Sequence, residues 1–234
     1  MSDTESKDIK KEYEQSNIQE DEDIRLKSQM EKMVDSYDSY MKKITFGREN
    51  VLREMTVSLA EIKPGDCVLE IGCGTGTLTL EAKRKADPAG KVCGIDIIPG
   101  MIEISRQKAA KAQLDVDFQL GSIAEIPFSE SAFDVVICSF MIFHMSEAVR
   151  NKGIKEIYRV LKPQGKLLVL DLALPTNPVS RAVAKIFLGF MLKHDLNELL
   201  PQMEASGFSR MEIKQANYRV LGFPILSFVL GEKV

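Results

Sequence analysis

The hydrophobic positions of this chain change period along its length, and the changes recur in order. Short apolar runs predict strands at Cys67 to Ile71, Lys91 to Asp96, Val116 to Leu120, Phe133 to Phe140 and Lys166 to Ala173. Between them, Thr77 to Arg84, Gly100 to Gln113 and Ala148 to Leu161 carry helical spacing. Turn signals punctuate the series at Pro64-Gly65-Asp66, Asp87-Pro88-Ala89-Gly90 and Lys162-Pro163-Gln164-Gly165. Such alternation predicts an α/β fold: a parallel sheet with right-handed crossovers and helices on both faces. The C-terminal part breaks the rhythm. Val179 to Leu192 and Leu196 to Ser206 predict two helices, and Ser209 to Ala216 and Leu226 to Gly231 two strands with no helix between them. A parallel crossover needs a dozen or more residues, so these two strands are expected to pair antiparallel. The intervening linker, Asn217 to Pro224, holds Tyr218 and Phe223, which either line a pocket or pack beneath the sheet. Upstream, Ile24 to Leu59 has helical spacing interrupted near Phe46-Gly47.

The first strand runs straight into glycines at alternate positions: Val68-Leu69-Glu70-Ile71-Gly72-Cys73-Gly74-Thr75-Gly76. Alternate glycines after a strand make a loop that a ligand can approach without meeting side chains. The dinucleotide fingerprint G-x-G-x-x-G would place its third glycine at position 77, where Thr77 stands. Its spacing therefore argues against a nicotinamide-dependent oxidoreductase. The second strand ends in Asp96, 20 residues after Gly76. A carboxylate there can accept both hydroxyls of a ribose, and Ile97 follows in position to lie against an adenine face.

The pattern E-x-G-x-G-x-G is similar to the first motif of the class I S-adenosylmethionine (SAM)-dependent methyltransferases. From about Met33 to Leu174 the chain resembles, more narrowly, the ubiquinone/menaquinone-biosynthesis C-methyltransferase branch of that family. Tyr37-Asp38 with Phe46-Gly47, Gly94-Ile95-Asp96 through Met101, Gly121-Ser122-Ile123-Ala124-Glu125-Ile126-Pro127-Phe128, Phe133-Asp134-Val135-Val136 and Arg159 to Lys166 carry the resemblance beside the glycine loop. It implies a Rossmann-like seven-stranded sheet, mostly parallel with the last strand antiparallel. It also implies SAM lying across the carboxyl ends of the first strands under an N-terminal helical lid. Two departures stand out. Ser122 replaces the Asp that usually meets the adenine amino group, and Gln164 replaces a glycine in a surface turn.

The resemblance sorts the candidate cofactor-binding residues. Glu70 either ties the loop through backbone bonds or faces the positively charged methionine end of SAM. Gly72, Gly74 and Gly76 form the loop, and Cys73 is a small residue whose backbone N–H faces the ligand. Asp96 either caps the next helix or holds the ribose. Ser122 is a turn cap or an acceptor for adenine, Ile123 offers backbone atoms and an apolar surface to it, and Ser139 presents its carbonyl at the carboxyl edge of the sheet. Tyr37 packs on the lid helix or closes over the methionine carboxylate. His144, just after the fourth strand, is a candidate general base or a structural loop residue.

Composition narrows the partner and excludes other chemistry. The 234 residues are 44% hydrophobic with a net charge of −3, enough for one α/β domain with a sizeable core. Acidic side chains crowd the first 25 residues, from Asp3 to Asp23, so the remainder is close to neutral. A nucleic acid held through its phosphates would need a basic stripe that is missing here. Cys67, Cys73, Cys93 and Cys138 lie in or beside apolar strands without ligand spacing, which predicts buried thiols, a reducing compartment and no metal site. The polar Met1-Ser2-Asp3 opening lacks signal-peptide character, and Ile186 to Leu192 is too short to span a bilayer. The expectation is a cytoplasmic protein with an acidic tail at 1–30, a helical lid at 31–60 and a SAM-binding domain at 61–234. Its expected activity is methyl transfer from SAM to a small, uncharged or partly apolar acceptor; the competing reading is a non-catalytic SAM-binding protein.

Overall fold

The computed structural model describes residues 24, 27–142, 145–173, 177, 182, 196–216, 218 and 226–234. Most of the acidic tail, all of the predicted helix Val179 to Leu192 except Ala182, His144 and nearly all of the Asn217 to Pro224 linker lie outside these residues.

One seven-stranded sheet organises the rest. Its strands are β1 (Cys67–Ile71), β2 (Lys91–Asp96), β3 (Asp117–Leu120), β4 (Phe133–Ser139), β5 (Leu161–Leu172), β6 (Phe208–Gln215) and β7 (Leu226–Lys233). The order is β3-β2-β1-β4-β5-β7-β6. Pairing is parallel from β3 through β5, and β7 runs antiparallel to both β5 and β6. The last strand is thus the reversed one, as expected, and it slots between two earlier strands. The described helices are α1 (Tyr37–Ile44), α2 (Glu49–Leu59), α3 (Thr77–Ala86), α4 (Pro99–Ala112), α5 (Glu147–Val160) and α6 (Leu199–Ala205).

The apolar run of β1 is continuous because both of its faces are covered. Val68 packs with Leu52 and Val57 of α2 and Leu78 and Ala82 of α3. Leu69 and Ile71, one pleat step away, pack with Ile154 and Ile157 of α5 and Leu199 of α6. Glu70 shares the Val68 face, and so it points toward α3. On β4, Val135 and Ile137 face the α2 and α3 side while Val136 and Cys138 face the other.

Three details differ from the sequence expectations. The turn Lys162-Pro163-Gln164-Gly165 lies inside β5, as a bulge across which the register passes from Phe133↔Leu161 to Val135↔Lys166. Asp134 holds it there, its Oδ2 accepting from Lys162 Nζ at 2.7 Å and from the Cys67 N–H at 2.8 Å. Cys73 and Cys138 are buried, whereas Cys67 and Cys93 are only half-buried. β7 extends to Lys233, whose Nζ donates to the carbonyls of Tyr158 and Leu161 at the end of α5; a cation there complements the helix dipole.

The segments Ile126 to Phe128 and Arg159-Val160 also find a common purpose. Arg159 donates to the Ile126 and Phe128 carbonyls while Glu156 accepts the Ile126 N–H, so α5 fastens the loop that follows β3. Tyr218 packs rather than lining a pocket: it is buried, and its hydroxyl donates to Thr45 O at 2.6 Å.

Candidate active site

The order of strands reverses between β1 and β4, and in open α/β sheets the crevice outside the carboxyl ends at such a switch point is where ligands sit. The glycine loop occupies that place. Gly72, Gly74 and Gly76 all have positive φ, at 67°, 51° and 77°. At Gly76 a Cβ would lie 2.7 Å from both Phe118 Cζ and Ser105 Cβ, so the residue is fixed by packing as well as by conformation. At Gly72 it would lie 2.9 Å from Met141 Cγ.

Asp96 is the hinge of the site. Its Oδ2 accepts the Gly74 N–H at 2.9 Å and its Oδ1 accepts the Ile98 N–H at 2.9 Å. Both oxygens are thereby oriented, and each keeps lone-pair capacity for another donor. Burial raises the Asp96 pKa, while the bonds from Gly74, Ile98 and Ile97 work in the opposite direction. Ile97 beside it is 42% exposed, an apolar side chain left uncovered at the strand end.

Glu70 lies at the floor. Thr79 donates to its Oε2. Burial, opposed by that hydrogen bond and assisted by the Asp96 charge, pushes the carboxyl up to about 8. Above it, α1 and α2 close a cavity of about 60 Å³, into which Tyr37, Arg53, Glu70, Gly72 and Ser139 all face. Tyr37 is raised by burial and then by the Asp96 and Glu70 charges, so it remains a neutral phenol. Its ring covers Gly74, where a Cβ would stand 3.3 Å from Tyr37 Cε1.

Two sequence expectations need correction. The Cys73 N–H does not face a ligand, because it donates to Ile95 O at 3.0 Å and joins the loop to β2. Its thiol is raised by burial and then by the Glu70 and Asp96 charges, which leaves it without nucleophilic character. Ile123 offers no apolar surface either: it is 2% exposed and its Cγ1 fills the place where a Cβ on Gly153 would lie, at 2.6 Å. Only its backbone remains for a ligand. Ser122 Oγ accepts the Ala124 N–H at 3.2 Å, the turn-cap arrangement.

Arg53 and Lys108 were missed by sequence reasoning. Arg53 is the one cation among the described residues lining the cavity, and its charge counters that of Glu70. Its signal was helical: Glu49, Leu52, Arg53 and Thr56 share one face at positions i, i+3, i+4 and i+7. Lys108 binds Asp38 Oδ2 at 2.6 Å and donates to the Thr75 and Thr77 hydroxyls at 2.8 and 2.9 Å. Tyr158 and Lys162 stand at Tyr-x-x-x-Lys spacing, but away from this crevice. Tyr158 stacks edge-on with Phe208, and Lys162 pairs with Asp134 at the start of the strands. Among the described residues, no group of His, Cys, Asp and Glu could hold a metal ion, and no helix is long and apolar enough to cross a membrane.

Comparison with known proteins agrees with this geometry. Residues 68–165 match the family described as methyltransferase domain. A demethylmenaquinone methyltransferase of Lactobacillus johnsonii is 34% identical over 145 residues, 61% of this chain and 59% of that protein. One from Bacillus cereus is 31% identical over 160 residues, 68% of this chain and 67% of that protein. The aligned stretch thus spans roughly three fifths to two thirds of these relatives' length. In fold, the chain is similar to a SAM-dependent methyltransferase from Aquifex aeolicus, with a TM-score of 0.65 and 21% identity over 87% of this chain and 98% of that one. The chain belongs to the class I SAM-dependent methyltransferases, in the branch that contains the demethylmenaquinone enzymes.

Proposed function

We propose that this protein transfers the methyl group of SAM to a small, uncharged or partly apolar organic acceptor, and that quinone-like molecules are the first class to try. The observation that carries the reading is the pairing of Asp96 with the glycine loop beside a cavity lined by Glu70 and Arg53. This donor set fits the cofactor group by group. Asp96 takes the ribose diol, Ile97 one adenine face, and Ser122 and the Ile123 backbone the adenine edge. Gly72, Gly74 and Gly76 give the backbone its close approach. Glu70 suits the α-ammonium and Arg53 the α-carboxylate, with Tyr37 closing over them and the Ser139 carbonyl at the rim. Residues 31–60 form the lid and 61–234 the cofactor-binding domain.

SAM supplies an electrophilic methyl on a sulfonium, so the protein need not generate a reactive group. Its task is to hold the acceptor in line behind that methyl and to exclude water. Positioning of this kind accounts for about 7–11 kcal/mol of barrier reduction. A carbon or neutral nitrogen acceptor needs little acid–base help. A hydroxyl acceptor would need a base, for which His144 is the sequence candidate, outside the described residues.

An uncharged acceptor is favoured over a polyanion because the body of the chain is nearly neutral and offers no basic stripe. The names of the relatives point the same way, since they are called demethylmenaquinone methyltransferases. Calorimetry tests the cofactor assignment: the protein should bind SAM or its demethylated product, S-adenosylhomocysteine, in preference to NAD. NAD binding without SAM binding would overturn it.

A further inference from the structure

Lys108 sits outside the cavity, yet three of the elements that shape it meet at its ammonium group. It projects from α4, the helix that begins at Pro99, three residues after Asp96. Its Nζ contacts Asp38 Oδ2 of the lid helix α1 at 2.6 Å, Thr75 Oγ1 of the glycine loop at 2.8 Å and Thr77 Oγ1 at the start of α3 at 2.9 Å. An ammonium has three protons, and these three oxygens use all of them. The Thr75 hydroxyl passes its own proton to Asp38 Oδ1 at 2.6 Å, so lid, loop and lysine close a ring of hydrogen bonds. Burial alone would raise the Asp38 carboxyl, but the Lys108 and Thr75 bonds outweigh it and hold the group below its usual range. It is a charged partner, then, at neutral pH.

The residue before Asp38 is Tyr37, whose ring lies over Gly74. Gly74 in turn gives its N–H to Asp96. From these contacts we infer that Lys108 is a positioning residue: it clamps α1 onto the glycine loop and so sets Tyr37 across the mouth of the methionine-end cavity. Its side chain is not among those that line the cavity. Resting on the proposed methyltransferase site, the inference adds a mechanical link in which the helix following the ribose-binding carboxylate also fixes the lid. The chain just past the far end of α1 is tied separately, where Tyr218 bonds Thr45 O. Without Lys108, Asp38 would keep the Thr75 hydroxyl but lose its ion pair, and two threonines would lose the donor that they share.

The test compares wild type with Lys108→Met, Lys108→Arg, Asp38→Asn and the double variant, using two independent readouts. The first is hydrogen exchange of the α1 backbone amides without any cofactor. Lys108→Met should speed exchange in Tyr37–Ile44 at least about tenfold while leaving β1 and β4 protected, and Lys108→Arg should restore much of the protection. The second is S-adenosylhomocysteine affinity by calorimetry, which Lys108→Met should weaken about tenfold. Here the double variant should be no worse than twofold beyond either single one, because both break one clamp. Unchanged α1 exchange in Lys108→Met, or losses of affinity that multiply in the double variant, would overturn the clamp. A wild type that binds no S-adenosylhomocysteine would overturn the methyltransferase reading instead, with the exchange experiment still deciding the clamp.

Discussion

Asp96 accepts the backbone N–H of Gly74 at 2.9 Å, so the carboxylate that ends one strand holds the loop that follows its neighbour. The two residues lie 22 positions apart, at the ends of adjacent parallel strands. Loop and carboxylate are consequently a single unit. Asp96→Asn retains an oxygen for Gly74 but loses the charge that strengthens bonds to two hydroxyls. Each such bond is worth up to about 1.5–3 kcal/mol, so S-adenosylhomocysteine affinity should fall at least about tenfold by calorimetry. An affinity within twofold of wild type would remove Asp96 from the ribose site.

Glu70 should make cofactor affinity depend on pH. Its carboxyl, pushed up to about 8 mainly by burial, is largely protonated near neutrality in the free protein. A cationic methionine end favours the carboxylate, so binding should release a proton at pH 7, and affinity should rise from pH 6 to 8 and then level. Calorimetry in buffers of differing ionisation enthalpy reads the proton directly. Glu70→Gln should abolish both the release and the pH slope.

The same group bears on stability with the opposite trend. A carboxyl raised from 4.5 to about 8 contributes stability that is fully present below pH 4.5 and is lost as the pH rises through 8. The cofactor-free protein should therefore lose stability on the order of a few kcal/mol from this group between those values. In Glu70→Gln that share of the decline should disappear from urea denaturation curves. Parallel slopes in the two proteins would contradict the burial account.

Gly76→Ala should be among the costly loop substitutions. The residue combines a φ of +77° with a Cβ position only 2.7 Å from Phe118 and Ser105, both of them buried. Left-handed backbone costs an alanine about 1–2 kcal/mol and overpacking about 1–3 kcal/mol more. A urea midpoint that shifts by less than 1 kcal/mol equivalent would show that the neighbours give way freely.

Removal of residues 1–25 should leave S-adenosylhomocysteine affinity nearly intact, because among the described residues the lining of the cavity begins at Tyr37. Removal through Gly47 takes away Tyr37, Asp38 and Thr45 and should weaken it clearly. Equal behaviour of the two truncations would refute the lid.

Much of this was legible in the sequence because the signals were local. The bounds of β1 and β2 follow from apolar runs that end at glycines and at Asp96, and the reversed pairing of β7 follows from the missing crossover helix. What escaped depends on long-range contact. Lys108 looks like one more solvated lysine until α4 packs and brings it to Thr75 and Asp38. Ile123 stands next to Ser122 just past the end of β3, yet α5 presents Gly153 opposite it and draws the side chain into the core. The Cys73 N–H was assigned to a ligand because the register that gives it to Ile95 is set by strand pairing, which a single motif does not encode.

Methyl transfer itself can be read by incubating the protein with methyl-labelled SAM and a cell lysate split into organic-extract, RNA and protein fractions. Label should appear in the organic extract, on molecules heavier by one methylene. Label confined to the RNA or protein fraction would contradict the small-molecule acceptor, and tight SAM binding with no label transferred to any fraction would contradict catalysis.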